Sequence, residues 1–119
     1  MLDLSHKKLI AWQKAMAFFP PLYQLCTKLP KEEMYNLSSQ MKRAALSISN
    51  NLVEGASRKS KLEKNRFFEV ARSSAVEIDN CLTACLALQY FKIEQISAIN
   101  AALLEIFKLI TGLIESNRD

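Results

Sequence analysis

From Phe67 to Leu88 the chain places apolar or small side chains at four- and three-residue steps, Phe67, Ala71, Ser74, Ile78, Cys81, Cys85 and Leu88, and no glycine or proline interrupts them. A heptad rhythm held that long marks one face of a helix, because a strand returns to the same face every second residue. The sequence therefore predicts a long helix opened by Ser60 and Glu63 as a capping box and ending near Gln89.

The rest of the chain keeps the same period. Leu9, Trp12, Met16, Phe19, Tyr23 and Cys26 predict a first helix over His6–Lys28, in which Pro20 and Pro21 each remove an amide donor and give either one bent helix or two stacked segments. Leu29-Pro30-Lys31-Glu32-Glu33 reads as a loop or a short helical turn. Leu37, Met41, Ala45, Ile48 and Leu52 predict a second helix, capped by Asn36 or Ser38 and stopped after Glu54 by Gly55. After a turn at Tyr90-Phe91-Lys92, the stripe Ile96, Ile99, Leu103, Ile106, Ile110 and Leu113 predicts a fourth helix over Ile93–Ser116. Only two glycines and three prolines stand in 119 residues, so little is left for strands or long turns. The expected fold is an all-α, antiparallel up-down-up-down four-helix bundle forming a single domain, residues 1–119.

Two helices carry apolar side chains beyond one stripe: Phe68, Ala75, Val76, Leu82 and Leu86 in the third, and Ala102, Leu104, Phe107, Leu109 and Ile114 in the fourth. A surplus face of this kind points to self-association, because contiguous exposed apolar patches usually mark interfaces. No run approaches the about 18 uncharged apolar residues of a membrane span, and the chain is expected to be soluble.

The formal charge of +4 is unevenly placed. Residues 1–41 carry five basic and three acidic groups, residues 42–72 eight and three, and residues 73–119 three and six. The dense region is Lys42, Arg43, Arg58, Lys59, Lys61, Lys64, Arg66 and Arg72, the residue types that neutralise phosphates. No helix-turn-helix, zinc finger or aromatic RNA-binding motif accompanies it, so binding would be led by backbone electrostatics with weak sequence preference.

Catalysis has little to build on. The sequence holds no glycine-rich phosphate loop, nucleophile elbow, His-Glu-x-x-His or Glu-x-x-His pair, and its one histidine, His6, lies near a terminus expected to fray. Cys26, Cys81 and Cys85 are expected as buried structural thiols, with no metal and no cofactor; their odd number and the polar start Leu-Asp-Leu-Ser-His-Lys-Lys after Met1 favour a reducing cytoplasm. Arg43, Asn51 and Glu54 fall near one side of the second helix and are expected to form a structural hydrogen-bond network, with Glu77 as Arg43's partner across the bundle. If that pair were buried, Arg43→Ala would cost on the order of several kcal/mol.

Residues 39–55 read Ser-Gln-Met-Lys-Arg-Ala-Ala-Leu-Ser-Ile-Ser-Asn-Asn-Leu-Val-Glu-Gly. This segment resembles the signature of the bacterial four-helix-bundle proteins first noticed as reading frames in intervening sequences of large-subunit ribosomal RNA genes, matched by Gln40, Arg43, Ala44, Ser47, Ile48, Asn51, Glu54 and Gly55. Trp12, Pro30, Glu33, Tyr35, Arg58, Glu63, Phe67 and Glu77 extend the likeness over about residues 8–113, whereas Ser49-Asn50, Ser73 and Pro20-Pro21 depart from it. The resemblance implies a homopentameric, barrel-like ring. It also implies kinship with an accessory subunit of diversity-generating retroelements, which binds a reverse transcriptase and its template RNA through basic surface. The leading expectation is a non-enzymatic oligomeric module that holds nucleic acid or a nucleoprotein partner; a protein-binding scaffold without a nucleic-acid role is the alternative.

Overall fold

The computed structural model describes residues 1–118. Four helices, α1 (Ile10–Cys26), α2 (Ser39–Ser57), α3 (Lys61–Ala87) and α4 (Ile93–Ser116), are joined by short connections, and among the described residues there is no strand. A 3-10 turn at Ser5–Lys8 precedes α1, and a 3-10 turn at Lys31–Glu33 runs into a π-helical turn at Met34–Ser38 before α2. Each helix packs on two neighbours, α1 on α2 and α4, and α3 on α2 and α4. The start of α3 meets the end of α4 through Asn65, whose amide donates to the Ile114 carbonyl at 3.1 Å, so the two run antiparallel. At about 1.5 Å per residue α3 alone spans about 40 Å, which accounts for the 44 Å long axis of the molecule.

The core follows the sequence closely in α2 and α4. Leu37, Met41, Ala45, Ile48 and Leu52 are all buried, as are Ile96, Ile99, Leu103, Ile106 and Ile110; at the end of α4 the two readings trade places, Ile114 of the surplus face being buried and Leu113 of the stripe only half-buried. In α3 the heptad reading shifts: Ala71, Ile78, Cys81 and Cys85 are buried, but so are Phe68, Ala75 and Leu82, which had been assigned to a surplus face, while Leu88 is exposed. In α1 the inward face is Ala11, Ala15, Phe18, Leu22, Leu25 and Cys26, one residue away from the expected Trp12, Met16, Phe19 and Tyr23. Bulk misled the periodicity there. The small Ala11 and Ala15 let α1 approach its neighbours closely, and the larger side chains ride on the rim.

Helix α1 is continuous through Pro20 and Pro21. The carbonyls that lose their donors belong to Met16 and Ala17, and both residues, like the two prolines, are exposed, where water replaces the missing bonds. His6 is buried rather than frayed, its ring edge-on to Trp12 at 5.1 Å. Neither proposed cap of α2 acts as one: the Asn36 amide donates to Glu33 Oε1 at 2.9 Å, and Ser38 makes no capping bond. Ser60 does cap α3, accepting from the Glu63 amide at 3.1 Å.

Gly55 does not end α2, which continues to Ser57, and its φ is not positive. Its role is closeness. A Cβ at this position would lie 2.5 Å from Cε1 of the buried Phe68 ring and 3.1 Å from the Lys64 carbonyl oxygen. Glycine to alanine inside a helix ordinarily stabilises by about 1 kcal/mol, yet here the clash reverses the sign. Gly55→Ala is expected to destabilise by about 1–3 kcal/mol in chemical denaturation, as overpacking does, and pairing it with Phe68→Leu should recover much of the loss.

Glu33 fastens the two ends that face it. Its carboxylate accepts from the Tyr90 hydroxyl at 2.7 Å and from Asn36, tying the turn before α2 to the turn before α4. The Tyr90 bond, with help from Asn36 and the Leu37 amide, holds the Glu33 carboxyl below its ordinary value against the opposing effect of burial. The same bond, seconded by burial, pushes the Tyr90 phenol up to about 12. A carboxyl depressed on folding stabilises fully above its unfolded value and loses that contribution as the pH falls through the folded one. Stability should therefore drop on acidification below about pH 4.5 more steeply in the parent than in Glu33→Gln, followed by denaturation midpoints across pH.

Candidate nucleic-acid interface

The eight cations expected to form one dense patch are divided by the fold. Lys42 and Arg43 sit in the first turn of α2, whereas Arg58 and Lys59 lie in the connection beyond its last turn. Sixteen residues of helix at about 1.5 Å each separate Lys42 from Arg58 by about 24 Å. Two more of the eight are engaged in holding the bundle together. Lys64 donates to the Ala56 carbonyl at 3.1 Å and the Gly55 carbonyl at 3.5 Å, placing its charge on the exposed carbonyl end of α2. Arg72, three-quarters covered, bonds Glu69 at 2.9 Å and Thr111 at 3.3 Å and lies over the Phe107 ring, bridging α3 to α4.

What remains together is a corner where α2 passes into α3: Arg58, Lys59, Lys61 and Arg66, all exposed. Arg58 is shaped by its surroundings, with its guanidinium 4.7 Å above the Phe67 ring and 3.0 Å from Glu54. Arg66 lies 3.4 Å from Glu63. Exposed ion pairs of this kind are worth about 0–1 kcal/mol, so they leave the cations able to exchange partners for a phosphate. Arg118, from the end of α4, joins this corner. It lines a surface depression of about 640 Å³ with Lys61, Asn65, Arg66 and Asn117, and the Asn117 amide donates to Asn65 at 3.0 Å. The sequence reading missed Arg118 because it lies in the acidic third of the chain, about fifty residues from its neighbours in space.

The expected Arg43, Asn51 and Glu54 network does not form. Arg43 is exposed and donates to Gln40, Asn51 donates to the Ser47 carbonyl at 2.8 Å and its hydroxyl at 3.1 Å, and Glu54 pairs with Arg58. Glu77 is exposed on α3, and among the described residues no ion pair joins it to Arg43. The motif works through its small residues instead. Ser74 of α3 donates to Ser47 of α2 at 2.8 Å, so Ser47 links both its own helix and its neighbour.

The three cysteines are buried free thiols. Burial raises Cys26 and Cys81 and pushes Cys85 up to about 11, which keeps all three protonated and poorly nucleophilic. Among the described residues no three His, Cys, Asp or Glu side chains converge on a metal-sized site. Helix α4 reaches a mean hydropathy of 1.6 over a span-length window, although its Ile96–Ile110 face is packed in the bundle.

The family model described as 23S rRNA-intervening sequence protein matches residues 7–112. A crystal structure of a protein with unknown function from the S23 ribosomal protein family of Bacteroides thetaiotaomicron VPI-5482 is similar in fold, with a TM-score of 0.80 and 25% sequence identity over 89% of this chain and 96% of that one. No curated protein matches the chain. Neither description attaches an enzymatic activity.

Because Arg43 is exposed and bonded only within its own turn, the several-kcal cost of a broken buried pair does not apply. Arg43→Ala should shift stability by no more than about 0.5 kcal/mol, the range of ordinary surface substitutions, as read from a urea titration.

Proposed function

We propose a function from one premise, that this chain belongs to the 23S rRNA-intervening sequence protein family. It acts as a non-enzymatic interaction module that holds nucleic acid, or a nucleoprotein such as a reverse transcriptase with its RNA, against the cationic corner between α2 and α3. The observation that carries this reading is the gathering of Lys61, Arg66 and Arg118 around one depression, with Glu69 also on its wall, beside the exposed Arg58 and Lys59 of the connection between α2 and α3. Their counter-charges are surface carboxylates, which a phosphate backbone displaces at little cost.

Assembly as a homopentameric ring in the cytoplasm belongs to the same proposal. The outer groove between α3 and α4 supports it, a depression of about 410 Å³ with Val76 and Leu104 about half exposed on its walls. Burying that groove between copies would repeat the cationic corner around the ring, and repeated weak contacts gain avidity without new chemistry. The groove equally supports the alternative of a protein-binding scaffold whose charges serve solubility.

A salt titration separates the two. With about four phosphates neutralised per subunit, RNA or DNA affinity should fall by about a hundredfold between about 50 and 200 mM salt, and Arg58→Glu with Lys59→Glu should remove most of it. Binding indifferent to salt, or a partner lost on Leu104→Glu and untouched by the charge reversals, would favour the scaffold.

A further inference from the structure

We infer that the depression between the end of α1 and the start of α2 seats one unpaired nucleotide, its base on an apolar floor and its phosphate between Lys31 and Lys42. This inference rests on the nucleic-acid reading above and gives it a second contact, at the opposite end of α2. The depression measures about 260 Å³, space for roughly nine water volumes at about 30 Å³ each, which suits a single base and not a duplex end. Its apolar lining is Cys26, Leu29, Pro30 and the half-exposed Met34, and Thr27 and the buried Ser38 add hydroxyls.

The rim is charged to match. Lys31 stands on the 3-10 turn, Lys42 is held with its ammonium 4.7 Å above the Tyr23 ring, and among the described residues neither is paired with a carboxylate. Residues 26–43 also carry Lys28 and Arg43 against two acids, Glu32 and Glu33. Glu33 is buried and bonded by Tyr90 and Asn36, leaving Glu32 as the one exposed carboxylate of the segment. An apolar floor with a positive rim selects a ligand with a flat apolar body and an anionic edge, which is what an unstacked nucleotide presents.

The two ends of α2 then fix a footprint. Lys42 and Arg58 lie about 24 Å apart along the helix, a distance covered by about seven nucleotides at about 3.4 Å each. Because Lys42 turns to Tyr23 of α1 and Arg58 to Phe67 of α3, a strand that reaches both also passes around α2 and is longer than about seven nucleotides, whereas a duplex is held only at the corner.

The test compares a twelve-nucleotide single strand with the duplex of the same sequence on the full chain at low salt, using Met34→Ala combined with Lys31→Ala. Both side chains are exposed, so the helices are left intact. The expected result is a loss of about tenfold for the single strand from one apolar contact and one phosphate cation removed together, no change for the duplex, and a photo-crosslink from a thiouridine-bearing strand to residues 29–34. A variant that binds the single strand as the parent does overturns the nucleotide seat while the cationic corner stands. A parent that binds neither strand nor duplex overturns the reading beneath it as well. Displacement by a phosphopeptide as effective as by the oligonucleotide overturns the assignment to a nucleotide.

Discussion

The close approach of α2 to α3 is the constraint on which the rest of the molecule depends. Gly55 lets the Phe68 ring lie against the α2 backbone where any Cβ would collide with it. About two turns away along α2, Ser47 and Ser74 share a hydrogen bond between the same two helices, and Asn51 bonds Ser47 from the turn between. Lys64 completes the seam by donating to the last carbonyls of α2. Small side chains, one ring and one ammonium thus fix how the two helices meet, and the direction in which Arg58, Lys59 and Arg66 leave the bundle follows from that meeting.

Charges on this chain divide into those the fold consumes and those it leaves available. Lys64 and Arg72 are committed to helix ends and to the α3–α4 contact, and Glu33 is committed to Tyr90. The other six cations of residues 42–72 stand at or beyond the two ends of α2, Lys42 half-buried over Tyr23 and the rest exposed. An electrostatic surface divided in this way suits a long, flexible polyanion better than a compact one, since two modest contacts on one strand reinforce each other.

Much of the architecture was legible in the sequence, for physical reasons that can be named. In α2 and α4 the bulky apolar residues Met41, Ile48, Leu52, Ile96, Ile99, Leu103, Ile106 and Ile110 themselves face inward, so periodicity located their buried faces. Helix α1 hides Ala11 and Ala15 and leaves Met16 and Tyr23 exposed, and a search for large apolar residues settles one step off. Gly55 looked like a stop because glycine often ends helices, yet the partner that explains it, Phe68, lies on another helix and cannot be seen from local pattern. The same limit applies to the site: a charge count over residues 42–72 merged two groups that a rigid helix holds apart, and it passed over Arg118, which the α3–α4 pairing returns to the corner.

The central claim is that the geometry of the α2–α3 seam presents a cationic corner to a polyanion, and hydrogen exchange with and without bound RNA measures it directly. The account predicts slowed exchange concentrated in the connection after α2 and the first two turns of α3, residues 57–66. Unchanged exchange in those residues, with protection appearing instead along the outer face of α4, would contradict it.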